Sequence, residues 1–285
     1  MSLTLYMTIT SETEILYMNK SYGISIKNAN EEVFASGLFS CVEYCRCDFR
    51  VDRAYEDTLD DVPKLIELSN KYNVAIRSYH LPFNDEGKIP FLPSSLDSTD
   101  RTKTLEMTKN LITALEPTGI EYVVIHGSLR VLAHERQQRL NAFVEYLKEL
   151  CDFCKGLNNI KVCVETLKPR CIGNGLKEHL YILENVNKDN LGICFDSNHL
   201  LEEDNLDFIR GAGEYIYTTH FSDFDGIDER HWYPGRGIND WKSIVDLLEK
   251  KGYNGPYVFE VGFPDGKPSL AEYRTLISEW EQIFN

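Results

Sequence analysis

The sequence predicts a single (β/α)8 barrel with a short N-terminal extension, and three observations lead there. Strand-like apolar runs and helix-like amphipathic stretches alternate from Tyr22 to the C-terminus, the pattern of a parallel sheet covered by helices. Eight such units follow one another with no linker, repeat or low-complexity tract, which favours a closed barrel over an open doubly wound sheet and one domain over residues 1–285. Six of the apolar runs end near an imidazole or carboxylate: SYHLP at His80, YVVIH at His126, VCVE at Glu165, GICFD at Asp196, YIYTTH at His220 and PYVFE at Glu260. Successive members of this set lie 24 to 46 residues apart, about one strand–helix unit. Side chains at the same end of parallel strands converge, and that end is where such a barrel builds an active site.

The elements follow in order. Residues 1–21 stand apart, and TLYMTIT and EILYM predict a short hairpin there. Residues 23–26 and 41–44 read as the first two strands, and Val62, Leu65, Ile66 and Leu68 mark a helix face. VAIRSYH is the third strand; the polar segment 82–97, with Pro82, Pro90 and Pro93, is a loop and a candidate lid. A helix over 100–115 carries Leu111, Ile112 and Leu115 on one side and is stopped by Pro117 and Gly119. After strand YVVIH, the residues Leu140, Phe143, Val144, Leu147, Leu150, Cys151 and Cys154 recur at helical spacing up to Gly156. KVCVE is followed by GLKEHLYILENV with Asn174 as an expected N-cap, then by LGICFD, a short helix near 206–209 and YIYTTH. Asp240 caps a helix with Trp241, Ile244, Val245 and Leu248 as its buried stripe, ended by Gly252. PYVFE and a closing helix marked by Leu270, Tyr273, Leu276, Ile277, Trp280 and Phe284 complete the chain.

Composition narrows the function classes. The net charge of -15 repels phosphate backbones and weighs against nucleic acid as a partner. Mean hydropathy is -0.33, and the longest apolar runs are strand-sized, so no membrane span is expected. MSLTLYMTITSETE lacks the basic and apolar regions of a signal peptide, so a cytoplasmic location and free thiols are the expectations for this chain and its eight cysteines. Cys151 and Cys154 form a CxxC, but on an amphipathic helix, where packing is the expected role.

Glu165, Asp196 and Glu260 at one barrel rim would repel one another strongly, and a bound divalent cation removes that problem. His220 adds a neutral nitrogen, giving a mixed oxygen–nitrogen set that suits Mn2+, Mg2+, Co2+ or Zn2+ without selecting among them. Any one of these acids alone is more often a cap or the partner of a lysine or arginine; four at matching positions point to a metal. Five of the seven histidines, His80, His126, His199, His220 and His231, fall at strand ends or in the following loops. His134 and His179 sit in helical patterns and are expected at the surface.

These residues, with FDSNH (Asp196-x-x-His199), THFSD and HWYPGRGINDW from His231 to Trp241, make the chain resemble the xylose-isomerase-like TIM barrels. That superfamily holds sugar isomerases, ketose 3-epimerases and the endonuclease IV class of repair enzymes. The resemblance implies one metal on Glu165, Asp196, His220 and Glu260, with Glu165 and Glu260 as acid and base acting on a keto-sugar, or a sugar phosphate, through a cis-enediolate. It gives His199 to a substrate oxygen and leaves His80, His126, Glu229, His231 and Arg236 to bind substrate or further metal. The endonuclease IV alternative implies up to three zinc ions, held with His80, His126, His199 and His231, and has Asp where this chain has Glu229. The loops after the strands set Asp85, Glu86, Asp223, Asp225, Asp228 and Glu229 against Lys88, Lys168, Arg170, Arg230 and Arg236, close to balance on a very acidic body, which favours the small sugar over DNA. A non-catalytic metal- or sugar-binding barrel is the remaining reading. A homo-oligomer is left open.

Overall fold

The computed structural model describes residues 21–46, 54–83, 91–128, 130–263 and 268–285. The hairpin expected before residue 21, and the part of the candidate lid over 84–90, lie outside the described residues.

Eight parallel strands form one sheet: β1 (Tyr22–Ile26), β2 (Cys41–Cys45), β3 (Ala75–His80), β4 (Tyr122–Ile125), β5 (Lys161–Glu165), β6 (Leu191–Asp196), β7 (Ile216–His220) and β8 (Tyr257–Phe259). Each is paired with its sequence neighbour from β1 to β7, and β8 pairs with β1. A parallel bridge between Phe221 and Phe259 joins the remaining two edges. There the Phe221 N–H donates to the Val258 carbonyl at 2.8 Å and the Glu260 N–H to Phe221 at 3.2 Å, which closes the barrel. The intervening helices are α1 (Glu31–Ala35), α2 (Ala54–Tyr72), α3 (Ser98–Leu115), α4 (Arg136–Lys155), α5 (Gly175–Val186), α6 (Asn205–Ala212) and α7 (Trp241–Lys250), with α8 (Leu270–Phe284) last. Among the described residues no helix is long and apolar enough to cross a membrane.

The hydrophobic material divides into two layers. The large core lies between strands and helices and includes Leu65, Leu111, Leu147, Ile182, Phe208, Val245 and Trp280. A small separate cluster of Val124, Cys163 and Cys194 comes from alternate positions of neighbouring strands and plugs the barrel interior. Side chains two apart on a strand share a face. His126, Glu165 and Asp196 therefore stand directly above that plug, at the C-terminal mouth.

Local chemistry sets several boundaries. The Asp97 side chain accepts from the Thr99 N–H, so α3 starts two residues before the position expected from the sequence. Asp240 caps α7 as expected. Asn174 precedes α5 but its side chain caps nothing; instead the Glu178 carboxylate accepts from the Gly173 and Asn174 N–H groups, and Glu203 from Leu176. His179 corrects the surface expectation. It is buried, packs edge-on against Phe208 and donates from Nε2 to the Gly173 carbonyl at 2.9 Å. Cys151 and Cys154 are buried free thiols on α4, each pushed up to about 12 by burial, as their reading as packing residues requires.

Candidate active site

Four of the six chain positions singled out as strand ends are the last residue of a strand: His80, Glu165, Asp196 and His220. His126 and Glu260 lie one residue beyond β4 and β8. The registers set Asp196 opposite His220, Glu165 opposite Cys194 and His80 opposite Val124, so the six are staggered along one rim. Irregularities in the β2–β3 and β6–β7 ladders, after Val42 and Ile193, adjust the inward face so that Glu43 meets Ser78 and Cys194 meets Thr218.

Glu165 is the hub. Its Oε2 lies 2.9 Å from Nε2 of both His80 and His126. Its Oε1 faces Nδ1 of His199 at 3.3 Å and Nδ1 of His220 at 3.5 Å. His220 Nδ1 also faces Glu260 Oε2 at 3.3 Å and Asp196 Oδ2 at 3.9 Å. One ligand atom each from Glu165, Asp196, His220 and Glu260 fits within 4.8 Å. All but Glu260 are fully buried, and Glu260 keeps 24% of its side chain exposed towards the mouth. Asp196 Oδ2 and both ring nitrogens of His220 are buried without an aligned hydrogen-bond partner. Buried polar atoms are normally satisfied. Unsatisfied atoms on Asp196 and His220, facing the carboxylates of Glu165 and Glu260, therefore fit a divalent cation.

The charges support the same picture. Burial alone would raise Glu165, but His126, His220 and His199 hold it well below the usual carboxylate range. Glu260 is likewise lowered, against burial, by His220 and His231. Asp196 behaves in the opposite way: burial, with Glu165 and Glu260 nearby, pushes it up to about 7. His220 is held well above its ordinary value because Cys194, Glu43, Glu165 and Glu260 outweigh the cost of burial. Protonated histidines can thus do part of the neutralising that a cation would do.

A second group lies further out. His199 Nδ1 donates to the Thr166 carbonyl at 3.0 Å, and its Nε2 lies 3.4 Å from Glu229 Oε2. His231 has a left-handed backbone (φ 51°), with its N–H directed to Asn198 Oδ1 and its Nδ1 donating to the Glu260 carbonyl at 3.1 Å. His199, Glu229 and His231 present atoms within 4.8 Å of one another, as do His80, His126 and Glu165. Glu229 already holds a cation, since Lys168 Nζ lies 2.8 Å from its Oε1.

The structure does not bring Arg236 into this cluster by any described contact. Its guanidinium pairs twice with Glu279, at 2.7 and 2.6 Å, and lies over Tyr233. The glycine-rich loop before α7 has a scaffolding role. The buried Asp223 accepts from the N–H of Gly235 at 2.9 Å and of Asn239 at 3.1 Å, and from Trp241 Nε1 at 2.9 Å. A Cβ on Gly237 would collide with the Phe224 carbonyl and the Asp223 carboxylate. Sequence reasoning missed this role of Asp223, the place of Lys168 and, above all, Glu43, a fully buried glutamate on β2. Its only signal was one charge inside the apolar run CVEYC.

A cavity of about 320 Å³ adjoins His126 and is lined by Phe83, Ser94, Ser95, Asp100 and Arg139. Phe83 lies flat on the His126 ring at 4.2 Å.

The family model for the xylose isomerase-like TIM barrel matches residues 32–280. An inosose isomerase of Bacillus licheniformis is 24% identical over 242 residues, covering 81% of this chain and 86% of that protein. An uncharacterised protein of Sinorhizobium fredii is 27% identical over 203 residues, 68% of this chain but only 65% of its own length. Among solved structures, a D-tagatose 3-epimerase-like protein superposes with a TM-score of 0.75 at 21% identity, covering 93% of this chain and 98% of that one. The IolI protein with bound zinc superposes with a TM-score of 0.74 at 17% identity, with the same coverage. At these identities the structural likeness speaks for the fold.

Proposed function

We propose that this chain, which belongs to the xylose isomerase-like TIM barrel family, is a divalent-metal-dependent isomerase or epimerase of a keto-sugar or related polyol. The observation that carries the reading is the convergence of Glu165, Asp196, His220 and Glu260, with buried unpartnered atoms on Asp196 and His220. These four side chains would hold the metal. When bound, it would polarise a carbonyl and an adjacent hydroxyl. The names of the similar proteins, an inosose isomerase and a D-tagatose 3-epimerase-like protein, support this substrate class. So does the polar cavity beside His126.

Glu165 and Glu260 are both held as carboxylates, so either can take the proton from the carbon next to a carbonyl. The product of that step is a cis-enediolate. Inversion needs the opposite glutamate to have taken up a proton of its own, which it gives to the other face of the same carbon while the first glutamate keeps the one it removed. Return of the removed proton by the first glutamate to the neighbouring carbon, with the hydroxyl proton passing to the former carbonyl oxygen, isomerises the sugar. His199, anchored on Thr166, would orient a substrate hydroxyl. Phe83 and His126 would form one wall of the pocket.

Two of the groups of three potential ligands, His80 with His126 and Glu165, and His199 with Glu229 and His231, favour a second reading, an endonuclease IV-like phosphodiesterase with three zinc ions. Lys168 on Glu229 speaks against it, because a protein ammonium already balances that carboxylate.

One experiment tests both. The purified chain is stripped of metal, reloaded with Mn2+, Co2+, Mg2+ or Zn2+, and incubated with a panel of ketoses and keto-inositols in D2O. Metal-dependent deuterium incorporation at a carbon next to the carbonyl is expected. Glu165→Gln and Glu260→Gln should each lower turnover by about 10²- to 10⁴-fold. Full turnover in both variants, or no uptake of any divalent metal, sinks the isomerase reading; three zinc ions with cleavage of an abasic duplex replaces it.

A further inference from the structure

Glu43 stands in the middle of β2, whose other residues, Cys41, Val42, Tyr44 and Cys45, are apolar and buried. It is 0% exposed. Burying a carboxylate is costly unless it is paired, yet among the described residues no lysine or arginine pairs with it. Two groups meet it. Ser78, level with it on β3, donates to its Oε2 at 2.9 Å. Its Oε1 lies 2.9 Å from Nε2 of His220. The approach is off the line of a hydrogen bond, so Glu43 Oε1 and His220 Nε2 are both without an aligned partner while facing each other. The opposite nitrogen, Nδ1, is the one that faces Glu165, Glu260 and Asp196.

We propose that Glu43 is the positioning residue of His220: its carboxylate, set by Ser78 and 2.9 Å from Nε2, holds the ring so that Nδ1 is turned to the cation site. This role rests on the metal-site reading above. The physical need for it is local. An imidazole that is to bind through Nδ1 has to be held in orientation from the far side of its ring. Glu43 stands on that side, with its own orientation fixed by Ser78. Carboxylates behind metal-binding histidines act in this way and raise the basicity of the ligand nitrogen.

The test uses the full chain, its Glu43→Gln and Ser78→Ala variants, and Zn2+ and Co2+ titrated against a competing chelator. Gln keeps the shape and can keep the Ser78 bond, so a residue that merely fills the barrel would tolerate it. The expected result is a dissociation constant raised about 10- to 100-fold in Glu43→Gln. A shifted visible spectrum of the Co2+ form and an unchanged or higher melting temperature of the metal-free variant should accompany it. Ser78→Ala should move affinity in the same direction by a smaller factor. Affinity within twofold of the unsubstituted chain, with an unchanged Co2+ spectrum, overturns the role of Glu43 alone. A loss of affinity that comes only with a lower metal-free melting temperature overturns it too, as a packing defect. No metal uptake by the unsubstituted chain overturns the metal-site reading itself.

Discussion

The inner and outer groups at the barrel mouth are made of the same residue types and differ in who neutralises them. The inner group sets three carboxylates against His220, is almost wholly buried, and leaves Asp196 Oδ2 and His220 Nδ1 unpartnered. The outer group sets one carboxylate, Glu229, against His199 and His231 and adds Lys168 at 2.8 Å. Burial pushes Asp196 up to about 7, whereas His199 and Lys168 take Glu229 down to about 2. Clustering of ligand-type residues is therefore a weak guide by itself. Buried carboxylates gathered around unsatisfied polar atoms are the stronger sign of a cation site.

The two groups also differ in support, and the first prediction separates them there. The inner residues stand on paired strands; the outer ones stand on loops, one of which is gathered by Asp223. Asp223→Ala removes the acceptor for Gly235, Asn239 and Trp241 Nε1 in a buried setting. A loss of about 4 kcal/mol in unfolding free energy is expected, from several hydrogen bonds to one charged acceptor. If the inner group holds the metal independently, affinity for the first ion should change by less than about threefold. Urea denaturation and metal titration of the same variant measure the two effects; an equal loss in both would mean that the loop and the inner group form one unit.

A histidine outside both groups sharpens the contrast by its titration. His179 is as buried as His80, but its described hydrogen bond goes to a carbonyl rather than a carboxylate. Burial pushes it down to about 4, while the Glu165 carboxylate outweighs burial at His80 and takes it up to about 9. For His179 the unfolded chain binds its proton near pH 6.5, and the folded chain only near 4. Stability is thus unaffected above pH 6.5 and falls as pH drops through that window, by about 3 kcal/mol at the lower end. His179→Gln should flatten that part of the pH–stability curve. An unchanged slope between pH 6.5 and 4 would show that other groups carry the acid sensitivity.

Legibility in the sequence followed the range of the interaction. The strands, the helix stripes and the shared rim of the six strand-end residues depend on spacings of two and of three to four, and each is readable. The two-residue period also put a charge at position 43 inside the barrel, but a lone glutamate in CVEYC does not name its partner, which comes from β7. His179 shares a stripe with Ile182 and Val186, so its burial was readable from helical spacing and was overlooked because histidine is polar. Arg236 was not readable: its partner Glu279 lies 43 residues on, across the loop and on α8. The Lys168–Glu229 pair is of the same kind, joining two loops that only the closed barrel brings together.

That pair gives the smallest and most specific prediction. If Lys168 is what keeps the outer group free of metal, its removal should create a site there. Lys168→Met leaves Glu229 facing His199 and His231, with ligand atoms already within 4.8 Å. The ammonium is 41% exposed, so its electrostatic effect is screened and amounts to about 1 kcal/mol or less. A gain in zinc affinity at the outer group of up to about fivefold follows from that figure. At zinc concentrations just above saturation of the first ion, elemental analysis should then find more zinc per chain in Lys168→Met than in the unsubstituted protein, and no increase in Lys168→Arg. The inner group supplies the internal control, since its affinity should not move. An equal zinc content in all three proteins would leave geometry, not charge, as the reason the outer group stays apart: the left-handed turn at His231 and the longer reach of a glutamate at position 229 would then set the limit.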